Sequence, residues 1–373
     1  MRIANILHLG IKELRSLLRD PVMLVLILFA FTFSVYASAT SMPEVLNHAP
    51  IAIVDEDRSQ LSQRIVGAFH RPYFTEPQLI GMGEMDARMD AGLDTFALVI
   101  PAGFQRDILA GKQPAVQLNV DATRITQAFS GSGYVQAIVT TEVREFVNRT
   151  RAAPEAPVDL VLRARFNPEL NNAWFGSVME VINNITMLSI ILTGAALIRE
   201  RERGTVEHLL TMPVTPLEIM LSKVWAMGLV VLVASALSLS LVVQGLLAVP
   251  IEGSVPLFLA GAALHLFATA SMGIFLATLA RTMPQFGLML MLVLLPLNML
   301  SGGATPRESM PQIVQSLMLA APDTHFVMLA QAILYRGAGL GTVWPQFLAL
   351  AAIGFVLFAI ALARFRRTIS SMA

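Results

Sequence analysis

The sequence predicts a polytopic α-helical membrane protein with six transmembrane helices plus an α/β periplasmic domain inserted between helices 1 and 2. Three observations predict it. Six mostly apolar stretches reach roughly the 20 residues that a bilayer-crossing helix needs. Charged residues are only 14% of the 373, against about 25% in soluble domains, and the mean hydropathy is +0.64. One long segment, 41–173, is far too polar to lie in a membrane and alternates strand-like with helix-like runs.

The leader, 1–20, places Ile3, Ile6, Leu7, Leu14, Leu17 and Leu18 at helical spacing, with Arg2, Asn5, Lys12, Arg15 and Arg19 largely opposite. This predicts a helix lying in the inner membrane surface. Pro21 then bends the chain into the first span, 21–40. Ala37-Ser38-Ala39 fits a signal-peptidase site, whose cleavage would leave five spans. The long, structured leader argues against that reading.

In the insert, Ser41 and Glu44 form a capping-box pair. The runs at 49–57, 95–101 and 115–123 read as strands, and those at 59–69, 85–93 and 104–112 as helices. Strand and helix in turn predict an α/β unit. A long amphipathic helix covers 126–151, and "RAAPEAPVD" is a linker back to the membrane. Asp55, Glu56 and Asp57 read as a solvated turn rather than a metal site.

The second span, 174–198, carries Glu180, Asn183, Asn184 and Met187 on one face. A carboxylate in a membrane costs several kcal/mol unless paired or wetted. That face is therefore a candidate substrate path, with Asn298 of the fifth span. The alternative is interhelical hydrogen bonding, the reading also given to Asn298, Gln244 and His265.

"IRERERGTVEHLLTMPVTP", 198–216, follows. Arg199–Glu202, Glu200–Arg203 and Arg203–Glu207 have i,i+3 or i,i+4 spacing, worth only a few tenths of a kcal/mol each. Topology needs no glutamates, so Arg199, Glu200, Arg201, Glu202, Arg203, Gly204, Thr205 and Glu207 predict an interaction surface. The apolar Leu210 and the stop at Pro213 complete it. Thr215, Pro216 and Glu218 are a helix-start signature. A helix from Leu217 to Lys223 leads into the third span, so 199–222 forms an elbow.

Three spans follow, at 223–249, 256–280 and 285–303. In the loop 304–343, Thr305, Pro306 and Glu308 repeat the start signature, predicting a helix over 306–320 and a second over 324–335. Two short, half-apolar helices predict a re-entrant hairpin. His325 reads as a structural hydrogen bond at a helix start, with a proton site as the sharper alternative. The sixth span is 344–363, and 364–373 is a tail.

Lys and Arg cluster in the leader, in the loop between spans two and three, and in the tail. The positive-inside rule then puts both termini and the elbow in the cytoplasm and the insert outside. Zero net charge gives no indication of nucleic-acid binding. No cysteine is present, and no histidine pair has zinc-finger spacing. Neither a metal site nor a catalytic signature is found. No G-x-x-x-x-G-K-S/T phosphate loop exists, so this chain supplies no ATP site and no cofactor is expected in it.

The stretch with Glu200, Glu202, Gly204, Thr205 and Glu207 after span two resembles that of the ABC transporter type-2 permeases. So does "NMLSGGATPRESMPQIVQSLMLAAPDTHFVML", where Ser301, Gly302, Pro306, Met310, Pro311, Pro322, Thr324, His325 and Phe326 match the family's pattern. The resemblance covers essentially the whole chain. It is nearest to the bacterial inner-membrane permeases of multidrug export.

The resemblance implies a permease subunit that is not itself an enzyme. A separate ABC ATPase would bind ATP and Mg and dock on the elbow and the surface helix. It implies a second permease copy or a paralogue, and often a periplasmic adaptor. The hairpin, with Pro306, Met310, Pro322, Thr324, His325 and Phe326, would be a lid over the exit. Export of amphipathic or hydrophobic, drug-like compounds is the expected function. The alternative is a non-transport membrane scaffold presenting the outside domain, against which the elbow speaks.

Overall fold

The computed structural model describes residues 2–40, 48–121, 123, 125–150, 172–202 and 214–370. The chain divides into two units, Met1–Met42 with Ala164–Ala373, and Pro43–Arg163.

The first unit is helical. Helix α1 (Ile3–Leu18) ends at Arg19, and Asp20 caps the next helix by accepting from Met23 N at 3.2 Å, with Pro21 at its first position. Among the described residues, six helices are long and apolar enough to cross a membrane: span 1 Pro21–Thr40, span 2 Trp174–Glu202, span 3 Pro216–Leu246, span 4 Val255–Leu279, span 5 Met283–Leu300 and span 6 Leu340–Thr368. Spans 1 and 3 contain π-helical turns at Ala30–Ser34 and Ser238–Leu246.

Span 2 is the centre of the bundle. Val178, Val181, Ile182, Ile185, Leu188 and Leu192 are buried, whereas spans 1, 5 and 6 keep most of their length exposed. That distribution suits helices facing lipid or another helix, where apolar side chains lose nothing by exposure. Span 4 crosses span 2 closely because Gly273 has no side chain. A Cβ there would stand 2.4 Å from Thr193 Oγ1 and 2.6 Å from the Ile190 carbonyl.

The predicted start at 215–218 forms as a full capping box. Thr215 Oγ1 accepts from Glu218 N at 3.3 Å and Glu218 Oε2 from Thr215 N at 2.9 Å. The helix does not stop at Lys223. It runs unbroken from Pro216 through span 3, so the second limb of the elbow and the span are one rod.

The second unit is a four-stranded sheet, with β1 Ile51–Asp55, β2 Gln78–Leu79, β3 Phe96–Ile100 and β4 Gln117–Val120 in the order β2-β1-β3-β4. β1 is parallel to β2 and β3, and β4 is antiparallel to β3. Helices α2 (Gln60–Gly67), α3 (Met82–Asp90), α4 (Phe104–Leu109) and α5 (Ile125–Thr150) complete it. β1 and β3 are buried nearly throughout, as central strands covered on both faces should be. The strands predicted at 49–57, 95–101 and 115–123 and the helices predicted at 59–69, 85–93, 104–112 and 126–151 have counterparts here, whereas β2 was not predicted.

The acidic turn is structural. Asp55 Oδ1 accepts from Asp57 N (3.1 Å) and Arg58 N (2.8 Å), its Oδ2 from Ser62 Oγ (2.8 Å), and Asp57 Oδ2 from Gln105 N (3.0 Å). The Ser41–Glu44 pair and the linker 151–159 lie outside the described residues.

Two expectations for the loop after span 5 are corrected. The Thr305–Glu308 box does not open a helix. Arg307–Ser309 make one 3₁₀ turn, and the chain is extended again at Met310 and Pro311. Two consecutive β-like residues break any continuous helix over 306–320. What forms is α6 (Gln312–Met318), bent by 91° against α7 (Pro322–Leu334). Pro322 sits at the first position of α7, where its missing N–H costs nothing, so that helix begins two residues before the predicted 324.

Candidate functional site

The last turn of span 2 sends four consecutive side chains to four different places. At about 100° per residue, neighbours on a helix point in different directions. Arg199 pairs with Asp20, the cap of span 1. Glu200 binds Lys12 of α1 through Oε1 (2.5 Å) and Lys223 of span 3 through Oε2 (2.7 Å). Arg201 donates to the carbonyls of Ala280 (2.7 Å) and Ala277 (3.5 Å) at the end of span 4. Glu202 Oε1 accepts from Met283 N (3.1 Å), the first residue of span 5.

Lys223 is the most deeply buried charge in this group. Its side chain is 2% exposed, and its Nζ also binds Glu13 Oε1 at 2.9 Å. Glu13 meets Lys12 in turn, at 3.4 Å. Two ammonium groups and two carboxylates thus form a neutral cluster joining α1, span 2 and span 3. Burial opposes charging of Lys12, but the Glu200 carboxylate, and then Glu13, outweigh it and hold that ammonium above its ordinary 10.5.

Helix α1 is docked by more than charge. Trp225 Nε1 donates to the Ile6 carbonyl (3.2 Å), and Arg2 N donates to Glu218 Oε1 (2.6 Å). Gly10 lies against the Trp225 ring so closely that a Cβ would stand 2.0 Å from Cζ2. The expected apolar face is divided accordingly. Ile3, Leu7 and Leu18 are exposed, whereas Leu17 is buried together with Glu13. The helix offers one apolar edge outward and packs the other on span 3.

Of the handle's predicted helical pairings, Arg199–Glu202 gives way to distant partners, and the two that involve Arg203 lie outside the described residues. Arg199 and Glu202 do not bind each other; their partners lie 179 and 81 residues away in sequence. Arg203, Gly204, Thr205, Glu207, Leu210 and Pro213 lie outside the described residues. The sequence reading missed Glu13, Asp20, Lys223 and Trp225. The signals that could have found them are an acid on the mainly apolar side of the leader and a lone lysine just inside a span.

The polar face of span 2 points toward span 1. Glu180 Oε1 accepts from Ser34 Oγ and from Asn184 Nδ2 (3.3 Å), and Asn184 Nδ2 also donates to the Ala30 carbonyl (2.8 Å). Asn183 and Met187 are half-buried, and Asn298 Oδ1 is buried without a hydrogen-bond partner. Gln244, read as interhelical glue, is instead on the exposed side of span 3. A groove of about 300 Å³ lies between spans 3 and 4, lined by Trp225, Gly228, Leu232 and Phe267 among others.

In the hairpin, α7 is embedded and α6 is exposed. Phe326, Val327, Leu329 and Ile333 belong to the bundle core, and Thr324 and Pro322 are buried. Met310 is buried at 7% exposure, and its carbonyl accepts from Gln315 Nε2 at 2.8 Å. Pro306 precedes the 3₁₀ turn. His325 Nε2 donates to the Leu319 carbonyl (2.9 Å), the structural bond expected at a helix start. Among the described residues, no group of acids and histidines could hold a metal ion.

A six-span bundle with docked terminal helix, charged hub and bent hairpin defines a multi-pass membrane protein. Residues 21–363 match the ABC-2 family transporter proteins, and the chain belongs to that family. It is 66% identical over 369 residues to "Inner membrane transport permease YhhJ" of Escherichia coli K12, covering 99% of each chain. It is 27% identical over 361 residues to "Probable multidrug ABC transporter permease YbhR" of the same strain, covering 96% of this chain and 97% of that one. YbhS, also called a probable multidrug ABC transporter permease, is 27% identical over 344 residues, 88% of each. The chain is a non-enzymatic ABC transporter permease subunit of the inner membrane.

Proposed function

We propose that this permease moves amphipathic or hydrophobic, drug-like compounds out of the cytoplasm or the inner leaflet. It is driven by a separate ABC ATPase, which binds ATP and Mg and docks on α1 and the elbow at 199–222. Two permease copies, or this chain and a paralogue, complete the transporter. Both termini and the elbow face the cytoplasm, and the α/β unit faces the periplasm. The names of YbhR and YbhS support a drug-like substrate class.

The observation that carries the reading is the hub formed by Arg199–Glu202. A push on the elbow reaches α1 and spans 1, 3, 4 and 5 through four adjacent side chains. Such short, charge-assisted contacts transmit displacement instead of absorbing it. Glu180, Asn183, Asn184, Met187 and Asn298 would line the path, and the hairpin with Pro306, Met310, Pro322, Thr324, His325 and Phe326 would gate its outer end.

The test is reconstitution of the permease with its ATPase in inverted vesicles, following a lipophilic dye. The proposal expects ATP-dependent dye accumulation with both subunits and none with either alone. Accumulation by the permease without an ATPase would overturn it.

A further inference from the structure

A second polar cluster lies in the bundle core, away from the hub. Asp323 of α7 is 1% exposed, and Thr186 of span 2 and His265 of span 4 are fully buried. Thr186 Oγ1 is 2.6 Å from Asp323 Oδ1 and 2.8 Å from His265 Nε2. His265 Nε2 and Asp323 Oδ1 are 3.7 Å apart. The imidazole stacks on Phe326 at 4.1 Å, which fixes its plane. His265 Nδ1 is buried without a hydrogen-bond partner, and the Ser301 hydroxyl lies beside the Asp323 carboxylate.

The charges around Asp323 are few. Span 4 contributes His265 alone, and span 5 has no titratable residue. The arginines of span 6, Arg364, Arg366 and Arg367, are in its last turns. On span 2, Glu180 is engaged with Ser34 and Asn184, and Arg199 lies 13 residues beyond Thr186, about 20 Å along the helix. In the hairpin, His325 binds the Leu319 carbonyl, Arg307 reaches Met328 Sδ and the Gln315 carbonyl, and Tyr335 binds the Phe175 carbonyl. A bare carboxylate at Asp323 would be a buried charge with no cation but a protonated His265, which is strongly unfavourable.

We propose that Asp323, Thr186 and His265 form a proton-binding site that holds one proton while α7 is seated against spans 2 and 4. The hydroxyl between the two groups makes two arrangements equivalent in charge. In one, imidazolium Nε2–H donates to Thr186 Oγ1, whose hydrogen points to the Asp323 carboxylate. Moving the first hydrogen onto Oγ1 and the second onto Oδ1 gives the other, a carboxylic acid beside a neutral imidazole protonated at Nδ1. Both are neutral overall. Removing the proton leaves one negative charge in the core, and unseating α7 into water relieves it.

The consequence is a specific pH profile. When unseated, the pair has ordinary values of about 3.9 and 6.5. Between those values both states hold one proton, so seating is independent of pH. Above about 6.5 only the seated state keeps it, so the seated fraction falls, approaching tenfold per pH unit. In Asp323→Asn the seated site holds no proton. Seating is then flat above about 6.5 and weakens on acidification below it. In His265→Gln the acid alone carries the proton, and the fall begins near pH 4.

Amide hydrogen exchange of peptides covering Pro322–Leu334 reads this directly. It uses the full-length protein in lipid nanodiscs across pH 5 to 9, corrected for intrinsic exchange. The expected result is wild-type protection flat below about 6.5 and falling toward tenfold per unit above it, with the two displaced profiles in the variants. Wild-type protection that does not change above pH 6.5 overturns the proposal. So does a wild-type slope retained in Asp323→Asn. If that variant does not fold, His265→Gln keeping the wild-type profile overturns it equally.

Discussion

Glu200 Oε2 lies 2.7 Å from the ammonium of Lys223, whose side chain is 2% exposed. The two residues belong to different spans, and the same carboxylate also holds Lys12 of the terminal helix. This contact turns three elements into one body at the entrance to the elbow.

Breaking that contact from one side strands the other charge. Lys223→Met leaves Glu13 and Glu200 with Lys12 alone, so a loss on the order of 3 kcal/mol in stability is expected. The double change Glu200→Gln with Lys223→Met should cost clearly less than the sum of the two singles, since their partners are shared. Thermal unfolding in detergent measures both.

Gly10→Val drives two methyl groups into the Trp225 ring, which already leaves no room for a Cβ. The expected outcome is displacement of α1 rather than loss of the bundle. Hydrogen exchange should rise over Ile3–Leu18 and stay unchanged over span 4, while ATP-dependent transport falls at least tenfold.

Alkali should release the same helix. Lys12 has a raised folded value, so its contribution is fully present below its ordinary 10.5 and is lost as pH climbs through the higher folded value. The docking of α1 should therefore hold to about pH 10 and weaken progressively above about 10.5. Tryptophan emission from Trp225, in a Trp174→Phe, Trp344→Phe background, follows the release.

Glu180 separates two roles for the polar face of span 2. As a helix contact, it serves as an acceptor for Ser34 and Asn184. Glu180→Gln keeps an acceptor and should leave melting within about 1 kcal/mol of wild type, and Glu180→Leu should lose about 1–3 kcal/mol. If the residue also lines a substrate path, Glu180→Gln should reduce export of cationic dyes while neutral dyes are unaffected. Paired melting and efflux curves read the two effects apart.

The spans were legible because a bilayer demands long apolar runs, a signal that survives without tertiary information. The α/β unit was legible from short runs, the β-rich "TFALVIP" and the alternating "AVQLNVDAT" among them, but β2, only two residues long, carries too little pattern to register. The charged partners were not legible. Local spacing proposes local pairs, and it assigned Arg199 to Glu202. Tertiary geometry gave Arg199 to Asp20 and Glu200 to Lys12, 179 and 188 residues away. The same limit hid Asp323, whose neighbours Thr186 and His265 come from separate spans. The "TPRE" start failed because Met310 and Pro311 take extended backbone, which a four-residue motif does not foresee.

The chain has no cysteine, so Leu210→Cys supplies a unique reporter in the elbow, and Ile313→Cys one on the exposed face of α6. A short thiol-to-amine crosslinker applied to membranes coexpressing the ATPase tests where the motor sits. The account predicts that Leu210→Cys joins the ATPase subunit and Ile313→Cys does not. Crosslinking at residue 313, or none at residue 210 with the complex intact, would contradict it.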